Sequence, residues 1–153
     1  MDNKKLNIII SISAVVVVAV LGTVFVNLGM DWFNSLNKPS QWIPNFVIPI
    51  VWSIIYLSAG LVLFLWHNNG DIPLKTSILF IINGILNVLW CLVFFTLRLT
   101  FLGNIAIIIN LIFAYVLLVD IFKQNKLYGY MLALYPAWLS LATSLNTAIW
   151  ILK

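Results

Sequence analysis

Glutamate is missing from this chain altogether, and charge of either sign is scarce: eight Lys or Arg and four Asp make up 8% of the residues. A soluble domain carries about 25% charged residues with which to clothe its surface. A chain of 153 residues with so small a supply cannot present a water-facing exterior, so much of its surface must meet lipid. Cysteine is reduced to Cys91, which excludes an intrachain disulfide framework and a thiolate metal cluster. Histidine is reduced to His67, and no HExxH, GxSxG, Walker or dinucleotide-binding pattern occurs, so metal hydrolysis, ATP use and hydride transfer lack their parts. The aspartates stand at positions 2, 31, 71 and 120, outside the middle of every apolar run, where a proton pump needs its carboxylate.

What fills the chain instead is apolar: 63% of it is hydrophobic and 14% aromatic, with seven Trp, and the mean hydropathy is +1.10. Five runs are predicted as membrane-spanning helices, over residues 6–28, 46–66, 74–97, 101–122 and 127–152. The chain therefore reads as one domain of the all-α membrane class, a bundle of five transmembrane helices. The first run reaches about 34 Å at 1.5 Å per residue, enough for a hydrocarbon core of about 30 Å. No small-residue A-x-A site closes it, so it is expected to be a retained span and not a cleaved signal peptide.

Residues 29–45 are expected to form a loop, with one interfacial helical turn at 31–36 that Pro39 ends. Pro49 suits the first turn of the second span. Pro136 predicts a kink in the fifth, because it cannot pair with the Leu132 carbonyl. Trp66 and Trp150 read as interface anchors, His67 as a solvated loop residue, and Asp120 with Lys123 as a pair among the headgroups. The net charge of +4 comes from basic residues that flank the apolar runs, where they meet anionic headgroups, so no nucleic-acid partner is implied. Lys4, Lys5, Lys75, Lys123 and Lys126 would share one side of the membrane and Lys38, Arg98 and Lys153 the other, which favours a cell-membrane protein with a cytoplasmic amino terminus.

The residues with chemistry left to offer are aromatics and amides. Trp52 and Tyr56 share one face below Pro49. Asn83, Asn87, Trp90 and Phe94 form a stripe down the third span, and Trp138, Ala142, Asn146 and Trp150 recur every four residues in the fifth. Trp32, Trp42, Trp52, Tyr56, Trp90 and Trp138 are expected to stack against a planar hydrophobic ligand. Asn87 and Asn146 would meet its polar edge, and Ala142 would leave room for something flat. Burying about 300 Å² of such a ligand gives at most about 7 kcal/mol before ordering costs. Lys38 would meet a carboxylate at the mouth. Asn83 and Asn110 read as links between helices. A rival reading treats the aromatics purely as packing and anchoring.

Three signatures resemble the tryptophan-rich sensory protein family, also called the translocator protein or peripheral-type benzodiazepine receptor family. They are KPxxWxP followed by PxxWxxxY (Lys38, Pro39, Trp42, Pro44, Pro49, Trp52, Tyr56), LNxxWxxxFF (Leu86, Asn87, Trp90, Phe94, Phe95) and YxxWxxxAxxxN (Tyr135, Trp138, Ala142, Asn146). The resemblance implies a five-helix bundle, a homodimer and a pocket beneath the first loop. It implies a membrane receptor for protoporphyrin IX, haem-related tetrapyrroles and isoquinoline carboxamide or benzodiazepine-type drugs. As in some bacterial members, light- and oxygen-dependent breakdown of protoporphyrin IX would follow, with Trp52 and Trp138 as the catalytic residues. The porphyrin would be ligand and photosensitiser, and no other cofactor is expected. The alternative is a porphyrin transporter or binding protein without catalysis. Pro136 stands where the family has a proline two residues earlier, and Thr147 replaces the Tyr of the animal cholesterol pattern, which weighs against a steroid partner.

Overall fold

The computed structural model describes residues 2–38 and 43–152. Among these the order is α1 (Asn3–Ser35), α2 (Val47–Asn69), α3 (Leu74–Cys91), α4 (Thr100–Gln124), α5 (Lys126–Leu132) and α6 (Leu134–Leu152), and α3 runs on into a π-helical turn, Leu92–Thr96. Val- and Ile-rich runs are poor helix formers in water. Hydrocarbon leaves no partner for a bare N–H or C=O, so the backbone must satisfy itself within each segment. Among the described residues four stretches are long and apolar enough to cross a membrane: α1, α2, α3 with its π turn, and α4. α6 is more dilute because Ser140, Thr143, Ser144, Asn146 and Thr147 interrupt it.

The helices form a closed ring. α1 packs on α2 and α3, α3 on α4, α4 on α5 and α6, and α2 returns to α5 and α6. Two apolar clusters fill it. One gathers Phe33, Trp90, Phe94, Phe95, Ile107 and Leu139. The other gathers Val62, Trp66, Leu79, Ile121, Tyr128 and Leu132.

Several expectations change. α1 does not stop near residue 28 but continues to Ser35, absorbing the turn expected at 31–36. Gly29 is the reason: a Cβ there would lie 2.1 Å from the Phe95 carbonyl oxygen, so this glycine allows close helix approach and does not end the helix. The fifth run is divided at Ala133, and the Leu132 carbonyl that Pro136 cannot use marks the break. Trp66 is 9% exposed and packs on Tyr128 at 5.3 Å between ring centroids, so it is core and not an interface anchor. Trp150, 42% exposed against Phe101, keeps an outward position.

His67 is not free in a loop: its Nε2 lies 2.9 Å from Ser11 Oγ, joining α2 to α1. Asp120 pairs with Lys75 at 2.8 Å and accepts from Thr76 at 2.7 Å and Gln124 at 3.0 Å, tying the end of α4 to the start of α3 in place of the expected Lys123 pair. Gly103 receives Phe94 of its own chain, whose Cβ would be 2.8 Å from an added methyl, and Ala106 is buried in the first cluster.

Candidate functional site

α2 and α3 are not neighbours in the ring, and the side chains they send inward meet across its centre. Trp52 and Tyr56 stack at 5.6 Å between centroids, 27° apart in plane. Trp90 reaches Trp52 at 6.0 Å, and Tyr135 of α6 meets the same indole edge-on at 6.4 Å. One turn away, Asn87 Nδ2 donates to Tyr56 Oη at 2.8 Å. On its other side Trp90 contacts Phe95 at 5.8 Å, Phe95 contacts Phe94 at 5.0 Å, and Phe94 contacts Trp32 of α1 at 5.6 Å. Trp32, Trp52, Tyr56, Asn87 and Trp90 thus belong to one continuous series of contacts. On α6, Trp138 and Asn146 are buried, 7% and 3% exposed, and Ala142 packs half-buried on the first cluster.

Six buried side-chain atoms have no hydrogen-bond partner among the described residues: Asn87 Oδ1, Trp90 Nε1, Asn110 Nδ2, Trp138 Nε1, Thr143 Oγ1 and Asn146 Nδ2. Four of the six, on Asn87, Trp90, Trp138 and Asn146, belong to residues expected to meet a ligand. A buried polar atom left without a partner costs about 1–3 kcal/mol, so their gathering on α3 and α6 is a property to be explained and not a packing accident.

The model of the TspO/MBR family matches residues 11–151, nearly the whole chain. The chain belongs to the TspO/MBR family. It is similar to the tryptophan-rich protein TspO of Archaeoglobus fulgidus, 29% identical over 97% of both chains. It is also similar to protein CrtK of Rhodobacter capsulatus, 28% identical over 78% of this chain and 76% of that one. The human translocator protein is 28% identical over 80% of this chain and 75% of its own. Family and apolar helices together make this a multi-span membrane protein.

Other expected participants of this TspO/MBR chain are placed differently. Trp42 lies outside the described residues. Lys38 does not stand free at a mouth: its Nζ donates to the Phe33 carbonyl at 2.9 Å and sits 4.6 Å from that ring's centroid, closing the carboxyl end of α1. Tyr135, quoted within a signature but given no role, joins α6 to α3 and α4, with its Oη 3.1 Å from Asn83 Oδ1 and 3.0 Å from Asn110 Oδ1. It has one proton for two oxygens. The network closes when the Asn110 amide turns its otherwise unpartnered Nδ2 toward Oη. Asn83 and Asn110 are thereby links between helices, as their depth in apolar runs suggests.

A cavity of about 410 Å³ lies on the amino-terminal side of the aromatic series, bounded by α1, α2, α3, α4 and the α5–α6 break. That is within the usual size of a small-molecule pocket, about 300–1,000 Å³. Of the residues expected at the site only Tyr56 and Asn87 line it, and no Trp does. The stripes predicted which residues share a helix face. They carried no information about the level in the bundle at which the helices part.

Proposed function

We propose that this protein is a membrane receptor for tetrapyrroles, protoporphyrin IX and haem-related rings, and for planar isoquinoline or benzodiazepine-type ligands, and that it promotes light- and oxygen-dependent degradation of protoporphyrin IX. The observation that carries the reading is the set of unpartnered buried atoms, those of Asn87 and Trp90 in contact with the stacked Trp52 and Tyr56 and those of Trp138 and Asn146 on α6. Indole and phenol faces match a flat apolar ring, and the spare indole N–H donors and amide groups match polar substituents at its edge. An illuminated porphyrin supplies the reactivity toward oxygen. The chain's part is to hold the ring and shield it from water, with the Trp52 and Trp138 indoles close enough to quench it or give up an electron. α5 and α6 would together complete a fifth crossing, with the amino terminus in the cytoplasm of a cell-membrane homodimer.

A second reading, binding or transport without chemistry, draws support from the make-up of the same atoms: all are amide, indole or hydroxyl, and none is a carboxylate that could move a proton. Titration of tryptophan fluorescence with protoporphyrin IX in nanodiscs, followed by illumination with and without oxygen, separates the two. Saturable quenching followed by an oxygen-dependent new absorbing product is expected. A Trp52→Phe/Trp138→Phe double variant should still bind but degrade the porphyrin about tenfold more slowly. Degradation at the parent rate would remove the role given to these indoles, and quenching without any product would leave the binding reading alone.

A further inference from the structure

The cavity on the amino-terminal side is unlike the aromatic series above it, and we infer that it is a separate site for a flexible aliphatic chain ending in an O–H group, a long-chain alcohol or a protonated fatty acid. Its walls are mostly aliphatic, built from residues such as Val15, Ile55, Ala59, Leu63 and Leu117, with Tyr56, Phe80 and Tyr135 as its aromatic members. With three single rings and no indole they present less flat surface to a planar ring than the aromatic series does, whereas a flexible chain can follow branched walls. The cavity also has a direction. Ser77 and Asn87 both line it and stand ten residues apart on α3, a depth of about 15 Å. Ile81 and Ile85, which line it from α3, are 60% and 62% exposed on the lipid-facing surface, so the cavity communicates with the bilayer between α1 and α3.

The inner end is polar. Asn87 is 2% exposed, and its Oδ1 has no partner among the described residues. One Nδ2 proton is committed to Tyr56 Oη, so the atom of this amide left wholly without a partner among the described residues is the acceptor Oδ1. Tyr56 Oη accepts that bond and keeps its own proton. An alcohol oxygen placed here donates to Asn87 Oδ1 and accepts from Tyr56 Oη, which satisfies both groups with one ligand atom. A plain hydrocarbon leaves the amide oxygen bare, and an ionised carboxylate brings a second acceptor and an unpaired charge. Asn87 and Tyr56 stand at the border with the proposed porphyrin site, and Ala59, which lines the cavity and takes no part in the aromatic series, tells the two apart.

The test uses the intact protein in nanodiscs and equilibrium binding of radiolabelled dodecan-1-ol, dodecanoic acid and dodecane. The alcohol, the protonated acid or both should bind saturably, and dodecane about tenfold or more weakly, the cost of leaving a buried acceptor without its donor. Whichever of the two hydroxylated chains binds more tightly identifies the source. In Asn87→Leu the alcohol and the alkane should bind alike. Ala59→Phe, which fills the cavity from α2, should abolish chain binding while protoporphyrin IX still quenches tryptophan fluorescence, and Ala59→Leu should weaken it to an intermediate degree if the larger ring prevents folding. Absence of saturable binding, equal affinity of the parent for alcohol and alkane, or chain binding unchanged in both Ala59 variants would overturn the assignment.

Discussion

At the scale of single residues, two glycines separate packing from propensity. Gly29 has the Phe95 carbonyl where its Cβ would stand, whereas Gly60 on α2 has nothing within 4 Å. Gly29→Ala must push α1 away from the π turn and is expected to cost about 1–3 kcal/mol or more. Gly60→Ala should be neutral or stabilise by up to about 1 kcal/mol through helix propensity. Denaturation in an SDS titration of both variants checks the contrast. Tyr135→Phe, which takes away the hydroxyl between Asn83 and Asn110, should lower the same midpoint by about 1 kcal/mol. An unchanged midpoint would mean that the two amides satisfy each other without it. The spacing around Tyr135 shows no partner for it, because Asn83 and Asn110 sit on helices that only folding brings near.

Among the elements, the α5–α6 break matters most for the candidate site. Ala133 lies between the two helices, Pro136 is fully buried in the first turn of α6, and Trp138 follows two residues on. The proline denies Leu132 its helical partner, and the interruption at Ala133 bears on which way the Trp138 indole faces. Pro136→Ala would let the helices join. The expected outcome is an unfolding midpoint held or raised, with protoporphyrin quenching weakened by about tenfold as Trp138 rotates off the ligand. Equal quenching in parent and variant would show that the break does not position the indole. The kink was legible from the proline alone. The extension of α1 to Ser35 was not, because glycine and the interfacial Asp31 read as loop until Gly29 is seen pressed against Phe95.

At the scale of the whole molecule, orientation in the membrane follows from charge. Lys4, Lys5, Lys75, Lys123 and Lys126 gather at one end of the bundle, where Lys4 also donates to the Asn68 carbonyl at 2.9 Å and Lys75 holds Asp120. In a Cys91→Ser background, Asn37→Cys should react with a membrane-impermeant maleimide on whole cells, and Asp71→Cys should react only after permeabilisation. The reverse pattern would place the amino terminus outside. Both positions are exposed and lie beyond the ends of helices, so neither change disturbs packing.

The sequence by itself determined the solvent and the class of structure. With so few charges the chain must live in lipid, and lipid requires each apolar run to close its own backbone hydrogen bonds as a helix. It also fixed which side chains share a helix face, since that depends only on 3.6 residues per turn, and so it could group Asn87 with Trp90 and Trp138 with Asn146. Tertiary structure alone decided what each face meets. The approach of α1 at Gly29, the closing of the ring by α2 against α5 and α6, and the capture of Asp120 by Lys75 depend on distances between segments remote in the chain. Those distances also left a cavity below the indoles, at the level of Val15, Ala59 and Leu117, because where helices part depends on which segments face one another and no single helix face records it.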